Sequence, residues 1–413
     1  MPVPSALECL RCQRRYPVVS MPAGCPACSE EVAPSNVQPV YSRMQALRPG
    51  RLSGSGLPRY ISQLPVARDR LVSLGEGGTP IISAPSLGRE IGLRRLLIKD
   101  ERMNPTGSWR DRYVAVAMSQ HTGADDITIG CAGSESLCVS AAAYAARAGM
   151  RSVSLLDGTV AETGGRAIDA IDGVGGRAVG VAAPESRWSL LADAERMLGW
   201  RAISNRASPP IGGDPLGIEG YKTIAYEIAE QLGFAVPDLV VVPAGLGDGI
   251  AGIWRGFREL ADWGVVDAYP RMVAVEVGGA LAAALAGGRD WVEPSVETTT
   301  NARALAGITG TVQSLHAVTE SEGLVVRVTE PELEAARIIL GEQEGIWADL
   351  AAAAPVAAAQ KLASRGDVPA RVQIVCVVTE HGLLDDSAVA PGTLQTVDAR
   401  VDELLRVLAV RGE

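Results

Sequence analysis

The stretch Asp100-Glu101-Arg102-Met103-Asn104-Pro105-Thr106-Gly107-Ser108-Trp109-Arg110-Asp111-Arg112 constrains this chain more than any other. The apolar run Leu96-Leu97-Ile98 precedes it and reads as a buried strand. Asn104-Pro105 and Gly107 force a turn. Ser108 has the residue type of an N-cap for a helix over 109–120. A strand, a turn and a helix in this order carry the turn to the carboxyl edge of a sheet, where α/β proteins bind ligands.

The same alternation recurs along the chain. Ile127-Thr128-Ile129-Gly130, Ser152-Val153-Ser154-Leu155-Leu156 and Ala178-Val179-Gly180-Val181 read as short strands. Helices are expected near 136–148, 162–171 and 187–199, which implies parallel β-α-β units. Leu239-Val240-Val241-Val242-Pro243 reads as a buried strand, followed by Ala244-Gly245-Leu246-Gly247-Asp248-Gly249 and a helix over 250–260. Glycines in such a place let backbone amides converge on an anion at a helix N-terminus. Asp248 either opposes that anion or turns outward to cap the helix. Further strands are expected at 272–277 and 375–378, with a helix over 330–343 between them.

A chain of 413 residues has room for two or three domains, and 47% hydrophobic residues can fill a large core. The net charge of −10, with no basic block, argues against nucleic acid as the main partner. No run is long and apolar enough to cross a membrane, and the N-terminus lacks the basic and apolar regions of a signal peptide. These features predict a cytoplasmic globular protein. Cys131, Cys138 and Cys376 sit in apolar stretches as buried thiols. Cys9, Cys12, Cys25 and Cys28 form two C-x2-C knuckles twelve residues apart, the spacing of a closed structural zinc site. Two disulfides are the alternative, and a cytosolic setting disfavours them.

The stretch from Lys99 to Arg112 resembles the active-site segment of threonine synthases, in the fold-type II family of pyridoxal phosphate (PLP) enzymes, which reads close to K-D-E-x-x-N-P-T-G-S-F-K-D-R. The resemblance runs over residues 5–390. Ser73-Leu74-Gly75-Glu76-Gly77-Gly78-Thr79-Pro80 is similar to the family's L-G-E-G-x-T-P, and Ile218-Glu219-Gly220-Tyr221-Lys222-Thr223 to its I-E-G-x-K-T. The resemblance implies two doubly wound α/β domains of fold-type II behind an N-terminal zinc ribbon. The ribbon would span 1–35, the larger domain 36–120 with 211–395, the smaller domain 121–210 and a C-terminal helix 396–413. Residues 36–70 read as a polar linker or wrapping arm. A homodimer is implied as well.

The resemblance also marks departures. The family's Schiff-base lysine falls on Arg110, and a guanidinium that stays protonated cannot condense with an aldehyde. A general preference for arginine explains such a change at surface positions and not here, since the chain keeps only Lys99, Lys222 and Lys361. The asparagine that bonds the PLP 3-hydroxyl falls on Ser136, and the glycine before it on Glu135. Glu135 either charges the loop that receives the substrate carboxylate or faces solvent at a helix start. The family's serine turn reads Asp349-Leu350-Ala351-Ala352, and its T-G-H-G-L-K-D reads Thr379-Glu380-His381-Gly382-Leu383-Leu384-Asp385. Thr379 keeps the partner of the pyridine nitrogen, and His381 reads as a structural hydrogen-bonding residue. Gly245, Leu246, Gly247, Asp248 and Gly249 occupy the phosphate cup. Three readings follow: a repurposed enzyme acting without a covalent PLP aldimine on an anionic or amino-acid-like molecule held by Arg110; a ligand-binding regulatory relative; or an enzyme holding PLP noncovalently or through Lys99 or Lys222.

Overall fold

The computed structural model describes residues 2–19, 21, 23–30, 33–123, 125–162, 165–293, 300–306, 310–385, 401 and 406. Among them the strands are β1 (Ala6–Cys9), β2 (Arg15–Tyr16), β3 (Val37–Val40), β4 (Ile81–Ser83), β5 (Arg95–Asp100), β6 (Thr128–Ala132), β7 (Arg151–Asp157), β8 (Arg177–Val181), β9 (Arg201–Ala202), β10 (Leu239–Pro243), β11 (Arg271–Glu276), β12 (Leu324–Arg327) and β13 (Gln373–Val378). They form three sheets, ordered β2-β1-β3, β12-β11-β10-β13-β5-β4 and β8-β7-β6-β9.

The six-stranded sheet is parallel apart from its edge pair β4 and β5. Its central strands are near-continuous apolar runs because helices cover both faces. On one face pack the helices Arg110–Ser119, Lys222–Gln231 and Asp248–Asp262; on the other, Pro85–Ile91, Glu330–Glu344 and Ala354–Ser364. The four-stranded sheet is parallel throughout, as the β-α-β alternation requires. Its strands all come from residues 128–202. Both sheets turn their carboxyl edges toward one cleft.

Of the two readings of residues 36–70, linker and wrapping arm, the packing agrees with the arm. Val37–Val40 completes the ribbon sheet by pairing with β1, so the ribbon extends beyond residue 35. Leu57, Tyr60, Ile61, Leu64 and Val66 then insert into the main core. Sparse apolar residues among Pro, Gly and Ser gave no periodicity, yet each is an anchor. The expected C-terminal helix over 396–413 lies outside the described residues except for Val401 and Arg406, and the larger domain's last ten residues, 386–395, lie outside them altogether.

Four buried charges lock the larger sheet to its helices. Arg112 donates to both oxygens of Glu101 and both of Glu227, at 2.7–2.8 Å, and to the hydroxyls of Thr79 and Thr223. Lys99 Nζ adds Glu227 at 2.7 Å and the Thr79 carbonyl at 2.6 Å. Burial disfavours the charge on Glu227, but Arg112 and Lys99 outweigh it and hold the carboxyl down at about 2. Removing one partner leaves a charge stranded in the core. Glu227→Leu is therefore expected to lose about 3–5 kcal/mol of unfolding free energy, measured by urea denaturation.

Candidate functional site

The cleft between the two sheets is lined by Gly107, the Ser134–Glu135–Ser136 turn, Asn301, Arg303, Ala304, Asp349, Glu380, His381 and Asp385. Several lining segments adjoin regular elements, which aim their side chains. The turn 134–136 follows β6 and opens the helix Glu135–Arg147. Glu380 and His381 follow β13, where bridges tie Glu380 to Ser108 and His381 to Ala348.

Glu380 is the hub. Its Oε1 accepts from the Ser136 hydroxyl at 2.7 Å and the Ser108 hydroxyl at 3.4 Å. Arg110 Nε stands 3.8 Å away. Burial raises the proton affinity of Glu380, and Arg110 and Ser136 oppose the rise. Asp349 lies alongside. Its amide donates to the Glu380 carbonyl at 3.1 Å, and one of its carboxylate oxygens accepts from the amides of Ala351 and Ala352. Burial, then the nearby charges of Glu380 and Asp385, push the Asp349 carboxyl well above its usual range. Burial thus favours the protonated form of both carboxyls, the form a general acid needs.

Of the sequence-predicted residues, Ser136 and Glu135 line the cleft and Arg110 does not. The Arg110 guanidinium lies behind Glu380, reaches the Tyr221 hydroxyl at 3.4 Å and sits over the Trp109 ring. Burial opposes its charge, yet Tyr221, Glu380 and Asp248 keep it protonated. The nearest carboxylate to the Arg110 guanidinium is thus the chain's own Glu380. Glu135 sits in the first turn of its helix, beside the cleft, and pairs with Arg303 at 2.8 Å. Thr379 is buried behind the cleft, and its carbonyl accepts from the Trp109 amide. Ser108 is not the N-cap: Trp109 occupies that position, and the Ser108 hydroxyl accepts from the Arg110 amide.

The glycine loop is built as a cup. Gly247 has φ of +80°, and a Cβ there would press on Ser314 at 2.8 Å. Among the described residues no acceptor meets the N–H groups of Gly245, Leu246 or Gly247. Gly249 is a packing residue, since a Cβ would strike the Trp109 ring at 2.1 Å. Asp248 neither caps outward nor stands free. It turns inward to accept from the Gly213 amide at 2.9 Å and from the Gln313 side chain.

The lysines are elsewhere. Lys99 is locked to Glu227, and Lys222 to Glu219 and Glu259 at 2.8 and 2.9 Å; both are fully buried. Lys361 pairs with Glu332. None lines the cleft. His381 has the structural role expected, its Nδ1 accepting from the Leu383 amide at 3.1 Å. Sequence reasoning flagged Glu380 and Asp349 as departures but did not see that they meet. Arg303 carried no signal at all.

Away from the cleft, the sulfurs of Cys9, Cys12, Cys25 and Cys28 lie within 4.8 Å of one another. Cys9 and Cys28 are 3.6 Å apart, as are Cys12 and Cys25.

Comparison with known proteins places this geometry. The family described as pyridoxal-phosphate dependent enzyme matches residues 72–380. Threonine synthase from Methanocaldococcus jannaschii is 32% identical over 84% of this chain and 85% of its own length. Threonine synthase from Methanosarcina acetivorans is likewise 32% identical over 84% and 85%. A fungal L-serine ammonia-lyase from Rhizomucor miehei shares the fold with a TM-score of 0.62 at 21% identity, covering 73% of this chain and 93% of that one.

Beneath the cleft, Asp111 accepts from the Ser140 and Thr106 hydroxyls at 2.6 Å each. Burial pushes its carboxyl up to about 6, and these hydroxyls only partly oppose the rise. A folded-state value above the unfolded one means that the folded protein holds the proton more tightly. Stability from this group is full below about pH 4 and is lost as pH rises through 6. Wild type is expected to lose roughly 2–3 kcal/mol between pH 4 and 7 relative to Asp111→Asn, read from urea unfolding across that range.

Proposed function

The chain belongs to the pyridoxal-phosphate dependent enzyme family, with threonine synthases among its relatives, and from that premise we propose that it does not work through a covalently held PLP. The observation that carries this reading is the composition of the cleft: a hub carboxylate, Glu380, backed by Arg110, and no lysine on any wall. PLP needs donors for its phosphate and an amine for its aldehyde. The amides of Gly245, Leu246 and Gly247 suit the phosphate. Arg110, standing where the family pattern has its lysine, cannot supply the amine. The residues therefore do not fit the covalent cofactor, and the chemistry of the cleft rests on its own side chains.

Those side chains suit a small amino-acid-like molecule. Arg303 and the serines of the 134–136 turn would receive a carboxylate. Glu380 and Asp349 would face an ammonium group, which an aldimine enzyme would have consumed and which here keeps its charge. The same two carboxyls, both raised by burial, are placed to take and return a proton in a lyase-like elimination, addition or rearrangement. A regulatory binding protein is the second reading. It is favoured by the close contact of Glu380 with Ser136, which ties up cleft groups in the free protein.

We further propose that Cys9, Cys12, Cys25 and Cys28 hold one structural zinc. A tetrahedron with zinc–sulfur arms of about 2.3 Å has edges of about 3.8 Å, close to the two 3.6 Å pairs.

Purified protein is expected to show no visible aldimine absorption with added PLP, and borohydride should fix no PLP to the chain. A borohydride-stable adduct on Lys99 or Lys222 would refute the reading. Metal analysis should find one zinc per chain, lost in Cys25→Ser. Protein with free thiols and no zinc would remove the metal proposal.

A further inference from the structure

A cavity of 330 Å³ lies away from the cleft, between the cysteine ribbon and the helices Asp248–Asp262 and Val312–Glu320. We propose that it is a second small-molecule site, that its ligand is an amino acid with an apolar or aromatic side chain, and that its occupancy is felt at the Gly245–Gly249 loop.

Size and lining come first. The volume falls within the range of small-molecule pockets, which are mainly apolar with a few directed polar groups. Trp254, Trp263, Tyr41, Met44 and Ile218 supply flat and aliphatic walls. The charges nearest these walls are already matched. Arg255 pairs with Glu219, and Glu259 with Lys222. They shape the pocket without asking for a partner.

The exposed charges at the mouth decide the class of ligand. Trp254, Arg258 and Asp262 follow one another at four-residue spacing, so they share one face of the helix. This places a guanidinium and a carboxylate one turn apart, both exposed, beside an aromatic wall. Arg258 uses its Nη1 on Glu320 at 2.7 Å, which leaves other donors of the fork for a ligand. A zwitterion with an apolar side chain is complementary to the whole arrangement: carboxylate to Arg258, ammonium to Asp262, side chain inward against the tryptophans.

Coupling follows from one residue. Gln313 lines this cavity and is otherwise buried. Its Nε2 donates to the Leu246 carbonyl at 2.8 Å and to the Asp248 carboxylate. Its Oε1 accepts from Asn36, at the start of the ribbon strand β3, at 3.2 Å. A molecule wedged between ribbon and helix would therefore bear on the side chain that holds the glycine cup in shape. Two sites sharing one bonded element have the physical requirement for reciprocal coupling.

The test is calorimetric titration of the full chain with L-phenylalanine and L-leucine, with L-aspartate as the control. The apolar amino acids should bind and L-aspartate should not. Arg258→Ala and Asp262→Ala, at exposed positions that leave the core intact, should each weaken binding about 10-fold or more. Absence of binding by either apolar amino acid overturns the site. So does binding that survives both substitutions, which would put the ligand in the cleft between the sheets. Phosphate titrated with and without saturating L-phenylalanine should differ in affinity by about 5-fold or more. Phosphate affinity that does not change, or phosphate that does not bind at all, overturns the coupling.

Discussion

The Arg112 guanidinium is the interaction on which the rest of this structure depends. It spans the gap between the loop after β5 and the helix Lys222–Gln231, and four acceptor side chains converge on it. Gly220 passes so close that a Cβ would lie 2.0 Å from the Arg112 carbonyl. Side-chain charge and backbone packing thus fix the same helix at the same point. Because Arg110 and Trp109 are within one turn of this anchor, the floor of the cleft inherits its rigidity. A buried ion network of this kind is a poor source of net stability but a strong specifier of geometry, since any other arrangement strands a charge.

From that anchor the site follows as a problem of charge balance. Four carboxyl side chains, Glu135, Asp349, Glu380 and Asp385, line the cleft, and Arg303 is the guanidinium among its described lining residues. Arg337 answers Asp385 from outside at 3.1 Å, and Arg110 answers Glu380 from below. Each acid has a cation, a hydroxyl or an amide at its back. Asp349, the acid without an arginine among these pairs, is the one whose carboxyl burial pushes furthest toward the neutral form. The glycine loop 245–249 is not among the lining residues of this cleft.

The larger sheet was legible because its strands are apolar runs flanked by glycine loops: the limits predicted for Leu239–Pro243 agree with those observed. Helix ends were less so, as Trp109 and Ser108 illustrate, because tertiary bonding of the Trp109 amide to the Thr379 carbonyl overrides the local cap preference. The ribbon's third strand escaped notice, since Val37-Gln38-Pro39-Val40 carries a proline and its pairing partner is distant in sequence. In the site, single positions were readable as departures from a pattern. Their assembly was not. Glu135 meets Arg303 across 168 residues, and Ser136 meets Glu380 across 244. No local signal reports a partner that far away.

The lysine poverty of the chain has a practical side. Lys99 and Lys222 have fully buried side chains, and that of Lys361 is 17% exposed and paired. Reagents that seek primary amines, whether cross-linkers, dyes or coupling chemistries for surfaces, would find one accessible side chain on the folded protein. Arginine carries the positive charge elsewhere and is inert to them. Any labelling strategy that needs several sites would have to go through another functional group, and an amine-directed mark found on a side chain under native conditions would report on Lys361.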